Sequence, residues 1–171
     1  GLGDVYKRQV YDVAEHAALN GKRVILNPAP AAAVPEHVWK WIDIVTPNEV
    51  EAEYYTGIPV CSGESAEEAA QWFHRRGVRH VIITMGDSGA YLSVNGAGQM
   101  VPPFCVTAVD TTGAGDAFNG GLLAALSEGK DLTQAVVFAS AAAALSVGRI
   151  GTAPSMPERE EILSLLKTVR K

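Results

Sequence analysis

Apolar positions along this chain change their period several times, and each change marks an element. Val13, Ala17 and Leu19 suit a helix over Val10–Leu19, which Asn20-Gly21 then stops. Arg23–Leu26 is a short β-branched and apolar run, a buried strand by length, followed by the loop Asn27-Pro28-Ala29-Pro30. Ile42–Val45 predicts a second strand ending at Thr46-Pro47. Asn48 then caps a helix running to about Tyr55 and closed by Gly57. Ser65 opens another helix, with Glu68 three residues on as a capping box and Ala69, Trp72 and Phe73 on one face, up to Gly77. Val81–Thr84 predicts a third strand.

The rhythm then alters. Ala90–Val94 and Gln99–Val101 flank Asn95-Gly96, a hairpin signal. Phe104–Val109 predicts a further strand, and three helices follow at about Ala114–Ser127, Leu132–Ser146 and Pro157–Val169. Strands alternating with helices imply parallel pairing with right-handed crossovers, hence an α/β fold. No repeat or linker interrupts the pattern, so residues 10–171 read as one domain. Gly1–Gln9 carry no apolar period and read as a tag or assembly artefact outside the fold. The first residue is glycine rather than methionine, which raises the expectation of an incomplete chain.

Composition narrows the function classes. With 171 residues there is enough chain for a sizeable core. The net charge of −5 indicates no basic face for nucleic acid or an anionic membrane. The longest apolar stretch, Ala135–Val147, is too short to span a bilayer. Cys61 and Cys105 lack metal-ligand spacing and read as reduced thiols of a cytoplasmic protein. His16, His37, His74 and His80 sit at no ligand spacing, and Trp39, Trp41 and Trp72 read as core or cover. No G-x-x-x-x-G-K-[ST] loop occurs.

The most informative run is Asp110-Thr111-Thr112-Gly113-Ala114-Gly115-Asp116-Ala117-Phe118-Asn119-Gly120-Gly121. A glycine turn here opens an alanine-rich helix. Its first turn presents backbone N–H groups and the positive end of the helix dipole, which attract anions. Gly113 and Gly115 let a ligand approach the backbone closely. A carboxylate in that place, Asp116, suits a base that takes a proton from an attacking hydroxyl, which points to phosphoryl transfer. The same aspartate also suits a plain helix cap.

Two further motifs sit at strand ends. Asn48 and Glu51, three apart at a helix start, offer an amide oxygen and a carboxylate that suit Mg²⁺; a plain N-cap with a dipole-facing glutamate fits them equally. Thr84-Met85-Gly86-Asp87-Ser88-Gly89 joins a strand to the hairpin through open glycine backbone, the composition of an ordinary turn as well.

The Asp110–Gly121 run resembles the second signature of the ribokinase family, the phosphofructokinase-B-type carbohydrate kinases, D-T-x-x-A-G-D-x-F-x-G, and meets every fixed position. Thr46-Pro47-Asn48-Glu49-Val50-Glu51 resembles the family's N-x-x-E motif, and Thr84–Gly89 its T-x-G-x-x-G nucleotide loop. The resemblance spans roughly Val24–Leu166. It implies a three-layer α/β/α fold with a mainly parallel sheet, truncated here, with the N-terminal strands and the β-lid missing.

For function, the resemblance implies ATP-dependent phosphorylation of a sugar hydroxymethyl group, D-ribose first. It implies Asp116 as catalytic base and substrate contact, and Gly113, Ala114 and Gly115 as an anion hole. It implies ATP contacts at Asn48, Thr84, Gly86, Gly89, Gly115 and Ser140; the last lies where the family lines its adenine pocket. Mg²⁺ would be organised by Asn48 and Glu51, partly through water. An activating K⁺ would be held by Asp110, Thr112, Ser146, Arg149, Gly151 and Ser155, mostly through carbonyls. The full-length protein would be a homodimer. Two alternatives stand beside this reading. One is a non-catalytic nucleotide-binding fragment with an exposed sheet edge. The other is a kinase for fructose, a sugar acid or a nucleoside.

Overall fold

The computed structural model describes residues 2–169. They form two compact units: one runs to Thr84 and includes Tyr91–Gln99, the other comprises Met85–Ala90 and the chain from Met100 onward.

In the first unit, α1 (Leu2–Leu19) leads to β1 (Ile25–Leu26), a 3-10 turn at Glu36–Trp41, β2 (Ile44–Val45), α2 (Glu49–Thr56), α3 (Gly63–His74) and β3 (His80–Thr84). The helix expected over Val10–Leu19 is present and begins earlier, at Leu2. β1 pairs parallel with β2, and β2 parallel with β3, in the registers Ile25–Ile44 and Val45–Val81. Both leading strands are shorter than their apolar runs. Asp43 Oδ2 accepts the Val24 N–H at 2.9 Å, so that donor never joins the ladder. The 3-10 turn was not foreseen, and it places Trp39, 1 % exposed, in the core. There Trp39 meets Tyr55, Trp72 and Phe73 edge-on, with centroids 5.3–5.8 Å apart.

α2 starts and stops where expected, with Asn48 as N-cap and Gly57 as left-handed C-cap (φ 73°). α3 does not. Its N-cap is Ser62, and the capping box joins Ser62 to Ser65 rather than Ser65 to Glu68. The Ser65 N–H donates to Ser62 Oγ at 3.3 Å, while Ser65 Oγ accepts the Ser62 N–H at 3.0 Å. Two serines at this spacing therefore compete with the expected Ser-x-x-Glu box, and Glu68 is left exposed.

The sheet order is β1-β2-β3-β4-β5, with β4 at Ala90–Val94 and β5 at Ala97–Val101. Asn95 (φ 51°) and Gly96 (φ 86°) supply the two left-handed residues of the hairpin turn. Among the described strands β1 stands at one end of this order. Beside it lies an apolar groove of about 510 Å³ whose walls include Val13 and Ala14 of α1 and Ile25 and Leu26 of β1.

The second unit carries α4 (Ala114–Ser127), α5 (Leu132–Val147) and α6 (Arg159–Val169). α4 and α5 approach closely because Gly121 has no side chain: a Cβ there would lie 3.0 Å from both Ala139 Cα and Ala142 Cβ. The strand expected at Phe104–Val109 is absent among the described residues. Pro102 and Pro103 remove two N–H donors just before it. The Val109 and Asp110 N–H groups both donate to Val147 O, at 2.7 and 3.1 Å, so the segment is tied to the end of α5 instead. Val106 and Val109 are consequently exposed. No helix among the described residues is long and apolar enough to cross a membrane.

Candidate active site

The first unit brings Asn48 and Glu51 beside Thr84, the first residue of the Thr84–Gly89 run, whose remaining residues belong to the second unit. Asn48 and Thr84 form a parallel bridge, and the Thr84 N–H donates to Pro47 O at 3.0 Å. Asn48 is at once the N-cap of α2 and half of a capping box: its Oδ1 accepts the Glu51 N–H at 2.8 Å, and Glu51 Oε2 accepts the Asn48 N–H at 2.9 Å. Glu51 is only 8 % exposed. A carboxylate buried this far is held by its hydrogen bonds. The cap thus occupies Asn48 Oδ1 and Glu51 Oε2 with backbone, and Glu51 Oε1 is the oxygen outside the box.

The Thr84–Gly89 loop turns sharply after β3. The Met85 N–H donates to Gly89 O at 2.8 Å, and Gly86 and Gly89 take φ of 48° and 91°. A Cβ on Gly89 would lie 2.2 Å from Val101 O and 2.8 Å from Pro103 N, so the crossing chain itself requires glycine here. Asp87 and Ser88 are exposed.

In the second unit the glycine turn opens α4 where the sequence predicts a helix start. Gly113 is the N-cap of α4 in left-handed conformation (φ 81°), and its vacant Cβ position faces Thr152 Cγ2 at 3.2 Å. A Cβ on Gly115 would meet nothing within 4 Å. Among the amides of this turn, Ala114 N–H donates to Thr111 O at 3.2 Å. The i→i−4 ladder is running by Ala117, whose N–H reaches Gly113 O at 2.9 Å. Gly115 and Asp116 thus lie in the first turn, where N–H groups lack intrahelical acceptors. Asp116 is exposed there, on the same turn.

Asp110 ties this turn to the loop after α5. Its Oδ1 accepts the Thr112 N–H at 2.9 Å and its Oδ2 accepts the Gly151 N–H at 3.0 Å. The Gly151 amide first, then the Thr112 hydroxyl and amide, hold the Asp110 carboxyl below the usual carboxylate range. Ser146 and Ser155 are both buried, and their hydroxyls donate to Ala143 O at 2.8 Å and Thr152 O at 2.6 Å. Arg149 reaches out of the loop to Glu161 of α6. Ser140 is half-buried in the middle of α5.

The structure therefore gathers the predicted residues in two groups. Asn48, Glu51 and Thr84 belong to the first unit; Asp110, Thr112, Gly113, Gly115, Asp116 and the loop through Arg149, Gly151 and Ser155 belong to the second. Sequence reading missed Thr152, packed on Gly113, and Glu161. The second had a signal, since Glu158 and Glu161 stand at N-terminal capping spacing. Among the described residues, no cluster of histidine, cysteine and carboxylate side chains forms a metal site, and both cysteines are free and exposed.

The chain is similar to known proteins in sequence and in fold. The pfkB family carbohydrate kinase profile matches residues 3–159. The ribokinase of Haemophilus influenzae is 46% identical over 154 residues, covering 90% of this chain and 50% of that protein. The deoxyribokinase of Salmonella typhi is 36% identical over 159 residues, covering 92% of this chain and 52% of that protein. The structure of Arabidopsis thaliana ribokinase complexed with ribose and ATP superposes with a TM-score of 0.89 at 35% identity, covering 94% of this chain and 53% of that one. The chain thus has a ribokinase-like α/β fold and spans about half the length of the relatives it matches. A specific eleven-residue signature, a matching profile over most of the chain and a shared fold lead to one conclusion: the chain belongs to the pfkB family of carbohydrate kinases.

Proposed function

We propose that the protein carrying this chain transfers the γ-phosphoryl group of ATP to the 5-hydroxyl of D-ribose, with the residues described here forming its nucleotide and catalytic half. The observation that carries the reading is Asp116, exposed on the first turn of a helix whose N-terminus is opened by Gly113 and left bare at Gly115. A carboxylate beside an anion-attracting turn matches the needs of phosphoryl transfer, which are positioning, charge stabilisation and removal of one proton. The alcohol oxygen bonds to the γ-phosphorus, the bond from that phosphorus to its bridging oxygen breaks, and ADP leaves. The hydroxyl proton passes to Asp116. The Gly113, Ala114 and Gly115 amides face the transferring group; Gly115 is more available than Ala114, which already donates to Thr111 O.

The remaining residues fit the ligands such a reaction uses. Asn48 and Glu51 are hard oxygen donors, and the Glu51 oxygen outside the capping box suits a water of hydrated Mg²⁺. Mg²⁺, when bound, neutralises charge on the ATP phosphates. Thr84, beside Asn48, and the Gly86–Gly89 turn border the nucleotide, and Ser140 its adenine end. Asp110, Thr112, Ser146, Arg149, Gly151 and Ser155 offer a set of mostly neutral carbonyl oxygens suited to K⁺.

The acceptor rests on the relatives. Ribose leads because the highest identity given above, 46%, is to a ribokinase, and a deoxyribose acceptor follows from the second relative. The test is phosphorus NMR of the full-length protein with ATP, Mg²⁺ and K⁺, offered D-ribose, deoxyribose and fructose in turn. Ribose 5-phosphate as the principal product supports the proposal. Nucleotide binding with no sugar phosphorylated would leave only a nucleotide-binding protein.

A further inference from the structure

We infer that Glu161 of α6 is a positioning residue that acts through Arg149 to hold the 148–155 loop against the turn that opens α4; its kinetic consequence rests on the phosphoryl-transfer reading above. The contacts run in one chain within the second unit. Glu161 takes the Arg149 guanidinium on Oε1 and the Glu158 N–H on Oε2, the latter at 2.8 Å. Both carboxylate oxygens are therefore engaged, and the side chain is fixed at the start of its own helix. α6 is fixed in turn by buried Ile162 and by Arg159, which reaches Glu128 beyond the end of α4 at 2.9 Å.

From Arg149 the loop continues to Gly151, whose N–H is held by Asp110 Oδ2 at 3.0 Å, and to Thr152, which packs on Gly113. The Arg149 N–H also donates to Ser146 O at 3.1 Å and the far end of the loop is packed at buried Ser155, but the stretch from Arg149 to Thr152 is exposed or half-buried. Ile150 is 79 % exposed, and Arg149 and Glu161 are about two-fifths exposed. A segment held by few polar contacts opens locally at low cost, and each contact then sets a visible share of the closed population. The Arg149 side chain points to Glu161, so its removal spares the carbonyl that the proposed K⁺ site would use. That separates the tether from the ligand set.

The test is site-resolved amide exchange on the full-length protein without ligand. Glu161→Ala and Arg149→Ala should each raise exchange at Gly151 about fivefold, the scale of a partly exposed ion pair. The double variant should add nothing, and the swap Arg149→Glu with Glu161→Arg should recover part of the protection. Arg159→Ala, which cuts the other anchor of α6, should lower thermal stability without singling out Gly151. In turnover, Glu161→Ala should raise the K⁺ concentration for half-maximal rate by about the same factor. Additive effects in the double variant, or a change spread evenly over α5, would overturn the inference. If the wild type phosphorylates no sugar, the functional reading fails, and the ligand-free exchange pattern alone decides the tether.

Discussion

Gly115→Ala separates a ligand site from a mere helix start, because the two readings give opposite signs. Gly115 lies inside α4, its φ is not among the positive ones, and a Cβ there touches nothing within 4 Å. Alanine in a helix is favoured over glycine by roughly 0.5–1 kcal/mol, less in the first turn, so stability should hold or rise slightly. Function should move the other way. A phosphate oxygen reaches a backbone N–H at about 2.9 Å, and a methyl beside that amide displaces it. Misplacement on the order of an ångström costs up to about 100-fold in rate, or about 2.7 kcal/mol of transition-state stabilisation. The assay pairs urea denaturation with kcat/KM for the sugar and ATP on the full-length protein. We expect an equal or higher denaturation midpoint and a 10- to 100-fold loss in kcat/KM, on the order expected for lost positioning. A variant as active as wild type would refute the claim that a ligand approaches this amide.

A second glycine and one half-buried histidine make further predictions. Gly89→Ala should behave in the opposite way, since φ 91° and a 2.2 Å clash with Val101 O combine; a loss of about 3–5 kcal/mol in urea unfolding is expected, and a loss under 1 kcal/mol would contradict the close crossing. His80 Nδ1 is buried without a partner, and burial, ahead of the opposing pull of Asp43, depresses the pKa of its imidazole below the ordinary 6.5. The folded state therefore resists a proton that the unfolded chain accepts. The His80 contribution is full above pH 6.5 and is lost as pH falls from there through the folded-state value. His80→Gln should flatten the part of the pH–stability curve that falls away below neutral pH; an unchanged slope would count against it.

Much of this was legible because local chemistry and global fold agree. Asn48 and Gly57 bracket α2 as any cap pair would, and Asn95-Gly96 leaves the chain only a tight hairpin. The α4 signature reads correctly since its turn, cap and helix are all encoded within twelve consecutive residues. What failed depended on distant partners. The apolar period of Phe104–Val109 predicts a strand, but a strand needs a neighbour, and the donors at its end, Val109 and Asp110, go to Val147. The serine pair at the start of α3 displaced the expected Ser-Glu box by a competition that periodicity does not weigh. The 3-10 turn carrying Trp39 has no period long enough to register. At the site, residue types were readable while their engagement was not. That Asn48 and Glu51 already cap each other, and that Asp110 reaches Gly151, emerges only when the chain is folded.

The central claim is that Asp116 removes the proton in phosphoryl transfer, and Asp116→Asn in the full-length protein tests it most directly. Ribose-dependent ADP release and equilibrium ATP binding should be measured on the same preparation. The account predicts that turnover falls by about 10²–10⁴, the usual contribution of a general base, while ATP affinity stays near wild type. Turnover retained within a few-fold would contradict it and return Asp116 to the role of a helix-start carboxylate.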